Sequence, residues 1–557
     1  MKRKISFVIA FILTFAFAFP VSSIYADSTE NSSSETNQDE ETVYVTEDEE
    51  FSFILKEDGT AELYEYLMKD NKGRVTVPFM ININDEVVPV TSIGEYAFFQ
   101  TGINCVLIPE TITSIGEGAF LQCPNLRDFV VPDSVEIIGD CAIGFLYDEK
   151  SDSINPKYNF KLYGYDEKVT SDYAGVYGFK YYDASTLIQY SEWNGKLSVL
   201  KADVRLHKVV IPESIDGKPV IKISTTCFAG SEYLNDIMLP DSLQTIDYYA
   251  FAHTGLSEIR IPAGVTKIGG GAFENCYYLE KINIPEGITE ISEKTFMNCL
   301  SLEPPELSKN IQSIGERAFS GCESFITFTI PSSVYRLEGN VFANCSNLES
   351  IKVSPDNYTF YDDNGILFEY EQANNSQDLV KYPENKSGEE YTVPERTREI
   401  YEGAFSNCRN LKKVKISDGT SRLYTAAFSD SELLESVYIP HTVRSIDKNF
   451  EGCPNLTVYA EETRTMKEFE EKWNKEIPLK IVYTSSEEEK KNEIINVDIN
   501  EDNKVDVSDL LIFKRYLLLD IELSGAMKKI TDINGDSSVN VFDFIRLKNI
   551  VLNPQEP

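Results

Sequence analysis

Two acidic runs near the C-terminus share one spacing. In the first, Asp498, Asn500, Asp502, Asp506 and Asp509 stand at positions 1, 3, 5, 9 and 12 of a twelve-residue stretch. In the second, Asp532, Asn534, Asp536, Asn540 and Asp543 repeat that spacing 34 residues later. Calcium takes six to eight hard oxygen ligands, and a loop of this length delivers them from those positions plus one backbone carbonyl at position 7. Lys504 and Ser538 occupy position 7, where side-chain identity matters little. One such run alone reads equally well as a solvated acidic turn. Two in the same register, each followed by an apolar stretch of helical spacing at residues 510–519 and 544–552, read as a pair of loop-and-helix sites holding two Ca2+ ions.

No other constellation offers chemistry. The three histidines, His207, His253 and His441, lie far apart and lack metal-ligand spacing. There is no nucleophile elbow and no zinc motif. A glycosidase needs only paired carboxylates in a cleft, and in so acidic a chain counting does not remove that pair. Yet the repeats described next leave no block of about 100 residues to house a catalytic fold. The expectation is therefore a non-enzyme; the alternative is a polysaccharide-degrading or peptidase enzyme with an unrecognised active site. A net charge of −38 argues against a nucleic-acid partner, whose phosphates would be repelled.

The elements that must carry any binding surface repeat along the chain. Ile259-Arg260-Ile261-Pro262, Ile282-Asn283-Ile284-Pro285 and Phe328-Thr329-Ile330-Pro331 mark one position, with Val437-Tyr438-Ile439-Pro440 further on. Ile115-Gly116 with Ala119-Phe120, Ile268-Gly269 with Ala272-Phe273, and Ile314-Gly315 with Ala318-Phe319 mark a second. The steps are 22 or 23 residues. Each turn reads as a short strand with alternate residues inward, a proline stop, a second brief strand and a corner packed by Ala-Phe. No single turn buries its own apolar face, so turns must stack into a solenoid with parallel sheets along its sides.

Cysteine follows the same period. Cys276, Cys299, Cys322 and Cys345 are 23 residues apart. Parallel rungs separate such residues by about 4.8 Å, whereas a disulfide wants its Cβ atoms nearer about 3.8 Å and turned toward each other. The column, with Cys123, Cys408 and Cys453 in the same local context, is expected as buried free thiols acting as small hydrophobes, and all ten cysteines as reduced. Outward strand positions carry Arg260, Lys281, Lys352, Lys412, Lys413 and Lys415. This basic stripe reads as either a docking face or ordinary solubilising charge, with Tyr438 beside it exposed for stacking on a sugar.

These motifs resemble the BspA-type leucine-rich repeats of bacterial and protozoan surface proteins, over most of residues 44–484. The resemblance implies a secreted or surface protein engaged in adhesion and protein recognition. The two acidic loops, with Asp at position 12 and no entering helix, resemble type I-like dockerins over residues 495–553. That resemblance implies a small all-α module binding the cohesin of a scaffoldin on a cellulosome-type assembly, of ruminococcal-like kind. It places recognition at Val507 and Ser508 of the first loop, Val541 and Phe542 of the second, and the basic Lys514, Arg515 and Lys548 of the helices. The usual glycine at position 6 is Asn503 and Ser537 here, and the two halves differ at positions 10 and 11.

The expected organisation is an α/β leucine-rich-repeat solenoid in two capped blocks plus the calcium-binding module. A basic start, an apolar run and small residues ending at Ala26 mark residues 1–26 as a signal peptide. Residues 27–43 are a disordered acidic leader. Residues 44–185 form one solenoid block and 186–484 a second, each closed by a helix and a strand, near residues 173–178 and 466–473. Asp363-Asn364-Gly365 marks a hairpin protruding from the second block. Residues 485–494 are a charged linker and 495–557 the docking module. No membrane span is expected; the chain is placed outside the cell, cellulosome-associated through cohesin, with an unidentified protein or glycan as the solenoid's ligand.

Overall fold

The structure is a computed structural model that describes residues 24–26, 42–46, 48–69, 73–83, 86–165, 168–371, 375–473, 479–484, 499, 507–517 and 547. The chain divides into two compact units, residues 1–322 and 323–557. In both, short parallel strands stack rung on rung, with few helices. The solenoid inferred from the period is the observed fold.

The landmarks have separate physical causes. The inward Ile of each second strand pairs in register with its counterpart one turn away, as Ile246 does with Ile268 and Ile291 with Ile314. Glycine follows because the preceding rung leaves no room: a Cβ added to Gly116, Gly269 or Gly315 would lie 2.6 Å from the backbone nitrogen of Glu95, Tyr248 or Glu293. The Ala-Phe corner then buries its ring completely. In the first unit Phe228, Phe251, Phe273, Phe296 and Phe319 form one stack, with neighbouring centroids 5.1–5.7 Å apart and planes within 11° of parallel. Phe405 and Phe428 stack likewise in the second unit, 4.9 Å apart. Each buried ring adds roughly 1.5–3 kcal/mol relative to exposure, so the stacked column is the principal source of cohesion between rungs.

Two residues per turn have left-handed backbone, four positions apart, as in Lys294 and Asn298 or Gly403 and Asn407. Asparagine tolerates that conformation better than most residues, and its side chain is used as well. Asn298 donates to Asn275 at 2.8 Å, and Asn275 meets His253 at 3.0 Å. His253 is thus a rung residue in an asparagine position.

All ten cysteines are free thiols. They do more than fill space. Cys276, Cys299 and Cys322 donate to the carbonyls of Phe251, Phe273 and Phe296, at 3.0, 3.1 and 3.2 Å. Cys453 does the same to Phe428 at 3.0 Å. Where the period offers Ser431, its hydroxyl donates to Phe405 at 2.7 Å. The column is one of hydrogen-bond donors to the preceding turn's corner carbonyl, a role the apolar reading of these cysteines missed. Burial pushes the Cys276 thiol up to about 11, which keeps it protonated.

Three ladders open in the same way. Phe51–Leu55 with Ala61–Tyr66, Ile188–Trp193 with Lys196–Ala202, and Ile366–Glu371 with Ser376–Lys381 are antiparallel pairs, each with one bulge. The second strand of each pair then runs parallel to the next rung, again across a bulge. The hairpin expected at Asp363-Asn364-Gly365 is present, joining Phe360–Asp363 to Ile366–Glu371. It does not protrude. Ile366, Leu367 and Phe368 are buried, and the hairpin is the start of the third ladder.

Helices close two of the stacks. Val169–Tyr177 buries Tyr173 and Ala174, and the Tyr177 ring meets Phe145 edge-on at 4.9 Å. Arg464–Trp473 buries Met466 and Phe469, with Phe469 edge-on to Phe450 at 6.0 Å. The strands Lys180–Asp183 and Lys480–Tyr483 follow them and add the last rungs. Among the described residues, no helix is long and apolar enough to cross a membrane.

Within the first unit, residues 74–165 pack along residues 203–278. Arg205, 7% exposed, pairs with Asp203 at 2.8 Å and with Asp128. The His207 backbone donates to the Tyr165 hydroxyl, and the Tyr233 hydroxyl donates to the Val77 carbonyl. His207, itself buried, stands 3.6 Å from Glu110, whose carboxyl is held below the usual range chiefly by that partner.

Candidate functional site

In the C-terminal region the described part is the helix Val507–Leu517. It begins at loop position 10, three residues earlier than the apolar pattern suggested. Val507, Ser508 and Asp509 therefore lie in its first turn. Lys514 and Arg515 are adjacent and exposed near the other end, and Phe513 is buried. Ile499 and Leu547 are also buried. Asp498, Asn500, Asp502, Lys504 and Asp506 lie outside the described residues. So do the whole second run (Asp532, Asn534, Asp536, Ser538, Asn540 and Asp543) and Val541, Phe542 and Lys548. The donor set is all oxygen, from carboxylates and amides, and suits Ca2+ better than a soft transition metal.

The outward strand faces of the repeat carry the basic residues as expected, and part of that charge is already engaged. Lys412 is paired with Glu389 at 2.8 Å and Lys413 with Glu390 at 2.7 Å, each across one rung. Lys415 lies over the Tyr438 ring, 5.9 Å from its centroid. Tyr438 is half-buried and its hydroxyl is sealed from solvent, so it does not offer the exposed stacking face expected of it. Arg260, Lys281 and Lys352 are exposed. The pairing with glutamates one rung away makes the Lys412–Lys413 part of this stripe a ladder of surface ion pairs. His441 is likewise paired, 3.2 Å from Glu461. Among the described residues, no group of three or more His, Cys, Asp or Glu is arranged to hold a metal ion.

The concavity lies elsewhere, in the second unit at the opening of the third ladder. It has a volume of about 240 Å³ and lies between the corner at residues 337–343 and the corner at 401–403. Strand residues Phe360, Leu367 and Val380 complete its apolar lining. The two corners stack as successive rungs do elsewhere, although 62 residues separate Asn340 from Glu402: the Asn340 amide donates to the Glu402 carboxylate at 2.9 Å. Asn407 donates to Asn344 at 2.8 Å in the same way. Lys381 lines the cavity and is buried, its ammonium 3.2 Å from Glu384 and 3.2 Å from the Gly403 carbonyl. Nothing in the period announced this site. The one usable signal was the break in register at the Asn-Gly hairpin.

Comparison with known proteins agrees with the geometry. The model of the BspA type leucine rich repeat region matches in six copies, over residues 80–161, 201–304, 271–369 and 382–487. The dockerin type I domain model matches residues 496–552. No curated protein matches. Similar solved structures include a leucine rich cell surface protein from Faecalibacterium prausnitzii A2-165, 21% identical, covering 78% of this chain and 98% of that one, TM-score 0.33. A leucine-rich repeat protein from Bacteroides ovatus ATCC 8483 is 20% identical over 78% and 98%, TM-score 0.29. The pneumococcal vaccine antigen PcpA is 15% identical over 84% and 99%, TM-score 0.31.

Proposed function

The chain belongs to the BspA-type leucine-rich repeat family and carries a dockerin type I domain, and from that premise we propose that it is a secreted, non-catalytic recognition subunit. Its C-terminal module docks onto the cohesin of a cellulosome-type scaffold engaged in polysaccharide degradation, and the repeat binds a protein or glycan. The observation that carries this reading is the joint presence of the repeat, matched in stretches between residues 80 and 487, and the doubled acidic run within the dockerin match. In this reading residues 1–26 are removed on export, residues 485–494 act as a tether, and residues 495–557 are the docking module. Two Ca2+ ions are held by Asp498, Asn500, Asp502, Asp506, Asp509 and the Lys504 carbonyl, and by Asp532, Asn534, Asp536, Asn540, Asp543 and the Ser538 carbonyl. Their charge fixes the loops, which orient the helices. Val507, Ser508, Lys514 and Arg515, with Val541, Phe542 and Lys548, then meet the cohesin.

The test is calorimetric titration of the full chain against a panel of cohesins, with calcium and with chelator. Calcium-dependent binding is expected, with loss of at least a hundredfold in affinity in the Asp498→Ala/Asp532→Ala double variant and an unchanged repeat by circular dichroism. Tight binding that survives excess chelator would overturn the docking assignment.

A further inference from the structure

The cavity at the opening of the third ladder has a lining that selects its ligand. Glu338, Glu369 and Glu402 bring three carboxylates to it. Its side-chain donors are already committed within the protein. The Tyr401 hydroxyl donates to Glu369 at 2.9 Å, and the Tyr424 hydroxyl to Glu399 at 2.9 Å. One amide hydrogen of Asn340 goes to Glu402. The Lys381 ammonium is shared among Glu384, the Gly403 carbonyl and Ser406 at 3.2–3.4 Å, so its charge is neutralised from behind. What the lining still offers is chiefly acceptors, the negative charge of Glu369 and Glu402, and the Tyr401 ring, over an apolar floor; the Tyr424 ring already carries the Arg422 guanidinium, 4.1 Å from its centroid, and Glu338 is paired with Arg336 at 3.3 Å.

A sugar presents donors and acceptors in equal measure, and its acceptors would face carboxylates. An ammonium group has three donors and no acceptor. It is also drawn to aromatic faces and gains most where water is partly excluded. We propose that this cavity binds a primary ammonium group on an aliphatic chain, the stem lying against Phe342, Phe360 and Leu367 and the charge between Glu369 and Glu402. Two sources share that chemistry: the lysine side chain of a partner protein and a free alkylamine. The proposal deepens the recognition half of the function given above and is independent of docking, since every residue it uses lies in the repeat.

The experiment is calorimetric titration of the full chain at low ionic strength with three probes: Nα-acetyl-lysine-N-methylamide, its uncharged norleucine counterpart and n-butylamine. The lysine amide is expected to bind at least tenfold more tightly than the norleucine amide. Glu369→Gln with Glu402→Gln should weaken it a further tenfold or more. Should that pair disturb folding, Val380→Phe fills the cavity with its carboxylates intact and should abolish binding by itself. Butylamine binding as well as the lysine amide would assign a free amine; weaker butylamine binding would assign a protein lysine. Equal binding of the lysine and norleucine amides, no binding of either amine, or binding indifferent to these substitutions would overturn the proposal. Cohesin titration of the same variants should be unchanged, which separates failure here from failure of the docking assignment.

Discussion

The regular stack at residues 224–322 and the opening of the third ladder at residues 360–403 are built from the same turn but solve different problems. In the stack each landmark meets the turn one rung away in the same manner: phenylalanine on phenylalanine, thiol on corner carbonyl, asparagine on asparagine. In the opening, a hairpin is spliced between rungs that still pair at their corners through Asn340 and Glu402. The splice leaves a cavity, a buried Lys381–Glu384 pair and the buried carboxylate of Asp378. Identical rungs give cohesion. A repeat protein acquires chemistry where its repetition is broken.

That contrast is sharpest in what single substitutions cost. Phe273→Ala removes a ring with neighbours on both sides and should cost about 3–5 kcal/mol, since the rungs cannot close the gap. Denaturant unfolding followed by circular dichroism would measure it, and a loss below about 1 kcal/mol would mean the stack is not the main cohesive element. Lys381→Met should cost a comparable amount, about 3–5 kcal/mol, for a different reason: it strands Glu384 as a buried, unpaired carboxylate. Adding Glu384→Leu should restore most of it. No parallel rescue exists for the phenylalanine column.

A smaller effect distinguishes the two regions by pH. Burial pushes the Asp378 carboxyl up to about 6, against about 4 for an unfolded aspartate. The folded chain then holds that proton more tightly than the unfolded chain. The associated stability is present below pH 4 and is lost as pH rises through 6, on the order of 2 kcal/mol. Thermal melts should show the parent falling relative to Asp378→Asn between pH 4 and 7. A constant difference would mean that Arg398, 3.5 Å away, already offsets the burial. Smallest is Cys299→Ser, which substitutes the donor that Ser431 uses naturally and should cost well under about 1 kcal/mol, whereas Cys299→Ala removes one of the two bonds the Phe273 carbonyl accepts, leaving only that from the Cys276 N–H, at about 1 kcal/mol. Equal costs for the two would remove hydrogen bonding from the account of this column.

The stack was legible because each of its rules fixes a residue type at a fixed spacing: inward Ile, the Gly that admits the previous backbone, the Ala-Phe corner, the thiol. The hairpin turn at Asn364-Gly365 was legible for the same local reason, but its place inside the ladder was not. The apolar alternation of residues 366–371 fits a protruding strand as well as a buried one. The packing of Arg205, His207 and Tyr233 against residues 77–165 depends on how two stretches of solenoid meet, which no local spacing encodes. The stripe of lysines was read correctly as outward, yet its neutralisation by Glu389 and Glu390 needed the rung register to be seen. In the region of the dockerin match the doubled acidic run is plain in the sequence because ligand spacing is itself a local rule, and nearly all of it lies outside the described residues.

The sealed thiols impose an order of events. Cys276 and Cys299 are inaccessible only once their rungs have closed, and until then they are ordinary cysteines on an extended chain. A nascent molecule must therefore stack before any oxidant finds it, and a mature one exposes a thiol only when a rung lets go. Each cysteine along the column is a clock that runs at the opening rate of its own turn, and reading them in sequence would show from which end the solenoid frays.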